Sequence, residues 1–504
     1  MRHSHVFLLG LSCLGAVSCK NPVSTMGSDT LVWKISKPAW DAEAEKQFSA
    51  WVNHFATVRA TGACESFIDC VRNPKVNSLY DDRDASLNAY ADCADFPMQM
   101  RTYFSFKKGL PFALADVSGD RYTAGNHTTG RNSRQESFKT MNSLFTWVTN
   151  QVASGFYRTS PEDEGTDTYP IDVRIDSVKP GTIFYDPNGH VLMVYQVDPT
   201  GAIHMMDGNT EGKTGIKIFS EAIERGTGSQ GGGFRNWRKT SVSPKGDYIR
   251  SKNAEHSDFS VTAQYQSTFD LGGGVTGTYY QWVKSRLATV KSNPIEEFDT
   301  DVKQICSYVS VRLGSVDGAI KAGINNQPHP DSLPPNIFGA TGDWESYATA
   351  SRDVIVRGYY RSLNSFIKYS THNVQKYEYS GSPQQLLAEY QQHWANLNAT
   401  SECQFTYKGS DGSPHVLTLN DLNDRLYDIS FDPYFCPELR WGSQPGRADW
   451  NERACNQGNK MDWYARESSL RNIVEREPGA NTPLGSGPQT QMDLSVQKLL
   501  SSGL

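Results

Sequence analysis

The stretch KPGTIFYDPNGHVLMVYQV, from Lys179 to Val197, gives the clearest indication of the fold of this chain. Two β-branched and aromatic runs flank a Pro-Asn-Gly turn, a pattern that predicts two strands joined by a tight hairpin. A third such run, Ala202 to Asp207, follows a second turn formed by Asp-Pro-Thr-Gly. The sequence therefore predicts a set of hairpin-connected strands, and His190 opens the second strand.

A second segment, about a hundred residues earlier, supplies a cysteine. It reads NAYADCADFPMQMRTYF from 88 to 104, and apolar side chains follow Cys93 at helical spacing: Phe96, Met100, Tyr103 and Phe104. The N-terminus of a helix lowers the pKa of a thiol, and a nearby histidine can take or hold its proton. Cys93 and His190 are therefore the candidate nucleophile and general base.

Such a site needs a third group that holds the imidazole in one tautomer. Asp207 ends the third predicted strand, opposite the start of the His190 strand, and is the favoured candidate. His204 and Asn209 are the alternatives. Asp207 could also be only a turn former in Asp-Gly-Asn-Thr, which is a common role for aspartate.

The oxyanion of an acyl-transfer reaction needs hydrogen-bond donors, and the backbone N–H of Cys93 is the natural first one. Tyr80 is a candidate side-chain donor, although a surface tyrosine explains it slightly better. No Cys-x-x-Cys motif occurs, and the histidines have no metal-ligand spacing. The glycine runs lack the Lys-Ser/Thr of a phosphate-binding loop. The sequence predicts no metal and no cofactor.

Seven of the nine cysteines follow Cys19. Cysteines of exported proteins tend to pair, and an odd count leaves one over. Cys64 and Cys70 could close a small loop, and the four late cysteines could form two further bridges: Cys306, Cys403, Cys436 and Cys455. Cys93 is then the free thiol. The alternatives are a bridge from Cys93 to Cys64 or Cys70, or a buried cysteine that only fills space.

The N-terminus has the pattern of an export signal. Arg2 precedes an apolar stretch over 6–17 that is too short for a permanent membrane span, so residues 1–19 predict a signal peptide. Cys19 follows small residues and resembles the lipidated cysteine of a bacterial lipoprotein, although Ala16 stands where leucine is usual. The alternative is an ordinary secretory signal. We expect an exported protein, lipid-anchored in the periplasm or at the outer membrane, or else secreted.

Length and composition predict two domains. The chain has 504 residues, a net charge of −6 and no cluster of Lys and Arg, which argues against nucleic-acid binding. After a polar tether over 20–30, residues 31–245 form the predicted catalytic domain, with an insertion at about 113–169. Residues 270–476 predict a mainly helical domain, and residues 477–504 a flexible tail.

Three motifs resemble the NlpC-type branch of the papain-like cysteine peptidases. They are Asp-Cys93-Ala-Asp, Lys-Pro-Gly181-Thr-Ile-Phe-Tyr and Gly-His190-Val-Leu-Met-Val-Tyr, and the resemblance covers about 75–240. It implies an α+β fold in which the cysteine helix packs on an antiparallel sheet. It also implies that Cys93 is the nucleophile and His190 the base. The third member in that family is often a histidine where His204 falls, whereas papain has an asparagine nearer Asp207.

The sequence therefore predicts an exported thiol hydrolase that cleaves an amide bond through a Cys–His–Asp acyl-enzyme mechanism. Peptidoglycan stem peptides are the expected substrate, as the resemblance implies. One alternative is an acyl or amide transferase on the same scaffold. Another is a non-catalytic cell-envelope module that binds peptidoglycan, with the helical domain binding an envelope protein.

Overall fold

The computed structural model describes residues 33–115, 121–124, 133–136, 138–157, 162–187, 189–209, 212–226, 231–272, 274–339, 341–474 and 492–502. The predicted signal peptide, the candidate lipidation site Cys19 and the tether lie outside these residues. Within them, no helix combines the length and the apolar character needed to cross a bilayer.

Helices dominate both ends of the chain, and strands lie mostly between them. The helices are α1 (Ala42–Ala60), α2 (Phe67–Arg72), α3 (Asp95–Lys108), α4 (Met141–Gln151), α5 (Tyr279–Leu287), α6 (Pro294–Lys321), α7 (Asp343–Tyr347), α8 (Ala350–His372), α9 (Pro383–Asn398), α10 (Leu419–Asp424), α11 (Pro437–Arg440), α12 (Glu452–Cys455), α13 (Lys460–Arg466), α14 (Ser468–Arg471) and α15 (Val496–Ser501).

The strands are β1 (Phe112–Ala115), β2 (Arg121–Ala124), β3 (Ser133–Glu136), β4 (Thr168–Pro170), β5 (Ile183–Asp186), β6 (His190–Val197), β7 (Ile203–Gly208), β8 (Thr214–Ile218), β9 (Gly233–Trp237), β10 (Thr240–Val242), β11 (Tyr248–Arg250), β12 (Phe269–Asp270), β13 (Thr276–Gly277), β14 (Phe405–Lys408) and β15 (Pro414–Leu417). The chain is thus a mixed α and β protein with an antiparallel sheet and a helical region, as the sequence predicted at that level.

Six strands form one antiparallel sheet in the order β4-β9-β5-β6-β7-β8. The predicted hairpins are present: β5 pairs Asp186 with His190, and β6 pairs Met193 with Met206 of β7. The strand β9 lies inside the sheet, between β4 and β5. The hairpin order places the start of β6 beside the end of β7.

Both faces of the sheet are covered, which explains why β6 is apolar along most of its length. On one face, Met193 and Met206 pack with the aromatic core of α1, α3 and α4. On the other face, Leu192 and Met205 pack against α5 through Trp282 and Val283. Helix α5 falls within the predicted helical domain at 270–476, but its contacts assign it to the sheet.

The predicted insertion at about 113–169 contributes to the core. Phe145 and Val148 of α4 are fully buried against α1 and α3, so this described part of the segment belongs to the packed core. The tail predicted at 477–504 also differs from expectation in its described part. Val496 and Leu500 of α15 are buried in the helical core, because this short helix packs on α8 and α9.

Three disulfides are present: the small loop expected between Cys64 and Cys70, and two bridges among the four late cysteines, whose pairing the sequence left open. The two late bridges are Cys306–Cys403 and Cys436–Cys455, and Cys93 is free. The Cys306–Cys403 bridge joins α6 to the segment after α9 across a sequence separation of 97 residues. Such bridges are typical of proteins exported to an oxidising compartment.

Candidate active site

Cys93 lies immediately before α3, in a loop whose conformation Asp92 fixes. The Asp92 carboxylate accepts hydrogen bonds from the backbone N–H groups of Ala94, at 2.8 Å, and Asp95, at 3.0 Å. These bonds satisfy donors that a helix N-terminus leaves unpaired. The buried Tyr157 hydroxyl donates to the Ala94 carbonyl at 3.0 Å and holds the loop from the other side. The thiol is therefore held at the positive end of a fully packed helix.

Two glycines let the cysteine loop approach the sheet. A Cβ on Gly208, at the end of β7, would lie 2.4 Å from the Asp92 carbonyl oxygen, so no larger residue fits there without movement of the backbone. Gly189 has a φ of 94°, a conformation that favours glycine, and its carbonyl oxygen lies 3.8 Å from the Cys93 Sγ. The thiol therefore faces the turn that leads into His190.

His190 lies between the thiol and a buried carboxylate. Its Nε2 is 2.6 Å from Oδ2 of Asp207, and the same imidazole hydrogen-bonds with Cys93. Because Asp207 takes Nε2, Nδ1 is the ring nitrogen left for the thiol. The His190 side chain is 30% exposed and that of Asp207 only 2%. The structure thus brings together three predicted site residues, Cys93, His190 and Asp207.

Lys217 belongs to the same cluster, and the sequence analysis missed it. Its Nζ contacts Oδ2 of Asp207 and lies 3.4 Å from Nε2 of His190. The register pairs Asp207 with Gly215, so Lys217, two residues further along β8, lies on the Asp207 face of the sheet. The sequence signal that could have indicated Lys217 is the spacing Gly215-x-Lys217 after a Gly-Asn-Thr turn. The sequence analysis predicts no strand at that position.

Gly215 completes the surroundings of Asp207. Its backbone N–H donates to Oδ1 of Asp207 at 3.1 Å, while Oδ2 contacts His190 and Lys217. A Cβ on Gly215 would lie 2.3 Å from Oδ1, so a side chain at this position would displace the carboxylate. Every oxygen of this buried group therefore has a polar partner, as burial of a charge requires.

The charges in the cluster fix its protonation. Burial alone would raise the pKa of Asp207, but Lys217 and His190 together hold that pKa well below its usual range. Burial and the charge of Lys217 act to lower the pKa of His190. The electrostatic interaction with Cys93 and hydrogen bonds with Asp207 and Cys93 outweigh them and raise it to about 9. Near neutral pH the cluster therefore holds a carboxylate and an imidazolium beside the thiol.

The helical half acts electrostatically on this site. Tyr308 of α6 acts with Asp207 to raise the pKa of Lys217 against the effect of its burial. Tyr90, in the loop before Cys93, is 47% exposed, and its pKa is raised by its burial and by the charges of the Cys93 loop and, to a smaller extent, of Glu345 in α7. The half-buried thiol therefore lies near residues of both halves.

The other predicted site residues lie elsewhere or have local roles. His204 is 3.4 Å from Asp198 and lines a cavity of about 740 Å³ whose lining does not include the thiol cluster. Asn209 accepts a hydrogen bond from the Lys213 backbone within the β7–β8 turn. Tyr80 is half-buried, and among the described contacts none joins it to the thiol cluster. Cys19 lies outside the described residues.

Comparisons of the chain with family models, with curated proteins and with solved structures found no match. The resemblance to the NlpC-type peptidases therefore stays a prediction from the three motifs.

Proposed function

We propose that this chain is a cysteine hydrolase that cleaves amide bonds through a covalent acyl-enzyme. The observation that carries the proposal is the position of His190, which contacts the free thiol on one side and a buried carboxylate on the other. A nucleophile, a base and a group that orients the base form the constellation that nucleophilic acyl transfer requires. The papain-like identity of the fold is part of this proposal.

The reaction follows from the roles of the three groups. The Cys93 thiolate attacks the amide carbonyl carbon and forms a C–S bond, and the carbonyl oxygen becomes an oxyanion. As the C–N bond breaks, the His190 imidazolium gives its proton to the leaving amine. Water, deprotonated by His190, then attacks the thioester, and the carboxylic acid leaves with the thiolate restored. Asp207 keeps Nε2 protonated, so that Nδ1 exchanges the proton.

Lys217 acts as a positioning residue in this scheme. It holds the Asp207 carboxylate ionised, and its positive charge counteracts the groups that raise the pKa of His190. An imidazolium with too high a pKa would not release its proton to the leaving amine. We therefore expect Lys217 to adjust the pH at which His190 works, whereas its loss should leave the geometry intact.

The proposed substrate class is the peptide part of peptidoglycan. The three disulfides support an exported protein, and the motif resemblance implies hydrolysis of stem peptides. A lipid on Cys19 would hold the enzyme beside the cell wall. Tyr90, exposed beside the thiol loop, offers an apolar surface to an extended peptide.

The test uses the exported chain from residue 20 onward, with its disulfides intact. It is incubated with purified peptidoglycan and with synthetic stem peptides, and new amine and carboxyl ends are identified by mass spectrometry. We expect product from the wild type and a loss of at least about 10³-fold in Cys93→Ala. His204→Ala is the matched control, because this histidine lies on the same strand as Asp207 but pairs with Asp198.

Product formation that persists unchanged in Cys93→Ala would refute the thiol mechanism. Addition of a simple amine separates the hydrolase from the transferase, because only a transferase converts most of the acyl-enzyme to the amide of the added amine. Binding to peptidoglycan without cleavage, equal in wild type and Cys93→Ala, would instead support the non-catalytic module.

A further inference from the structure

A second cluster of ionisable side chains lies in the helical half, away from the thiol. His329 precedes α7, Asp432 precedes α11, and Glu467 directly follows α13. The candidate ligand atoms of these three buried residues all lie within 4.8 Å of one another. Their sequence separations, 103 residues from His329 to Asp432 and 35 from Asp432 to Glu467, leave no spacing motif, so the sequence predicted no metal there.

The imidazole of His329 is oriented as in metal-binding histidines. Its Nδ1 lies 2.6 Å from the Pro330 carbonyl oxygen, which can only accept, so Nδ1 carries a hydrogen. Nε2 then faces the cluster and lies 2.6 Å from Oδ2 of Asp432. A hydrogen bond from the far nitrogen to a backbone carbonyl is the usual partner of a metal-ligating histidine.

Glu467 is the member of the cluster whose burial the described protein contacts do not explain. It is 0% exposed, and among the described residues no group donates a hydrogen bond to either carboxyl oxygen. The carboxyl group of Asp432, another acceptor, lies within 4.8 Å of it and raises its pKa further beyond the effect of burial. Two buried carboxyl groups that face each other need a shared proton or a cation between them.

Among the described residues, no neighbouring arginine or lysine donates a hydrogen bond to these two carboxyl groups. Arg440, Arg471 and Lys460 all act electrostatically on Asp432 or Glu467, but their described hydrogen bonds go elsewhere, mainly to backbone carbonyl groups. The ring of Trp463 stacks on His329 at 4.7 Å and encloses the cluster on one side. An enclosed site of this kind strengthens the attraction between a cation and carboxylates.

We propose that His329, Asp432 and Glu467 bind a divalent transition-metal ion, with Zn²⁺ as the reference ion. One imidazole nitrogen with carboxylate oxygens is a donor set that suits such ions. A neutral imidazole and two carboxylates balance a dipositive charge, so the buried site would carry no net charge. The ion would join three segments that are distant in sequence and would stabilise the helical half. This proposal is independent of the hydrolase function.

The test is a Zn²⁺ titration of the exported chain carrying Cys93→Ala, which removes the free thiol as a competing metal ligand. The protein is stripped with a chelator, and binding is followed by calorimetry, metal analysis and thermal unfolding. We expect one Zn²⁺ per chain and a rise in Tm of several degrees. Glu467→Gln should weaken binding at least about 100-fold, since even outer-shell partners contribute 10–100-fold. The matched control is His393→Gln, whose histidine pairs with Asp299 at 2.8 Å in a half-exposed position.

Two results would overturn the proposal: less than stoichiometric Zn²⁺ with no change in Tm, or binding and a Tm rise that persist in Glu467→Gln. Should Glu467→Gln fail to fold, Co²⁺ bound to the Cys93→Ala protein decides. The expected spectrum has d–d bands without thiolate charge transfer. Because Cys93 is replaced and Cys436 and Cys455 form a disulfide, a thiolate band would show an ion bound to reduced cysteines elsewhere, and it would also refute the site.

Discussion

The two halves of this molecule each contain a histidine paired with a carboxylate at the same distance. Nε2 of His190 lies 2.6 Å from Asp207, and Nε2 of His329 lies 2.6 Å from Asp432. In the first pair the imidazole also contacts a thiol and remains 30% exposed, whereas the second pair is fully buried. The pair itself therefore does not indicate a function. Two features distinguish a reactive pair from a structural one: the group that the other ring nitrogen faces, and the access of solvent to the imidazole.

The largest differences between the two pairs are expected when each imidazole is removed in turn. His190→Ala should lower kcat/KM by about 10³–10⁴-fold with little change in stability, because it removes the base at a partly exposed position. His329→Ala should leave the activity of the folded protein near wild type. It should lower the free energy of unfolding by about 3–5 kcal/mol, because it leaves two buried carboxyl groups without their partner. Urea unfolding and kinetics on the same preparations measure both effects, and the reverse pattern would contradict the assignment.

The next largest effect is expected at Gly215, which lies against Asp207 but not against His190. Gly215→Ala places a methyl group where a Cβ would be 2.3 Å from Oδ1 of Asp207, so the carboxylate must move and release His190. We expect a loss of about 10²–10⁴-fold in kcat/KM, similar to that of Asp207→Asn. Gly314→Ala, in α6 with open space around its Cβ, is the matched control and should be neutral or slightly stabilising. Equal activity of the two variants would show that Asp207 does not orient the base.

The smallest expected effect is a change in pH dependence through Lys217. The pKa of His190 is raised to about 9, so wild-type activity should fall as the pH rises through about 9 and the imidazolium loses its proton. Lys217 opposes that protonation, so Lys217→Met should move the fall to higher pH. Lys213→Met changes a lysine that is bound to Glu65 at the surface and should leave the profile unchanged. A shift of the profile to lower pH in Lys217→Met would contradict the charge arrangement.

The sequence predicted the parts of the fold that depend on local patterns. The β5–β6 and β6–β7 hairpins follow from their turn residues and the cysteine helix from its apolar spacing. The free Cys93 and the short Cys64–Cys70 loop follow from the odd cysteine count and the spacing, but the pairing of the four late cysteines does not. The triad of Cys93, His190 and Asp207 was named because hairpin geometry places the end of β7 beside the start of β6.

The remaining features depend on contacts between distant segments. Nothing local distinguishes α5 as a helix of the sheet, or shows that α15 returns to the helical core, because tertiary packing decides both. Lys217 was missed because β8 has only five residues, one of them a glycine, so its alternation carries little signal. His329, Asp432 and Glu467 come together only through the packing of three loops, which no spacing rule describes.

The measurement that tests the central claim most directly is the alkylation rate of each cysteine, resolved by mass spectrometry on the folded, unreduced protein. We expect Cys93 to react while the six bridged cysteines do not. We also expect the alkylation rate of Cys93 at pH 6 to stay within about tenfold of its rate at pH 8.5. In His190→Ala the rate at pH 6 should fall about 100-fold below that at pH 8.5, as for an ordinary thiol. An inert or bridged Cys93, or a wild-type profile equal to that of His190→Ala, would contradict the claim that His190 activates this thiol.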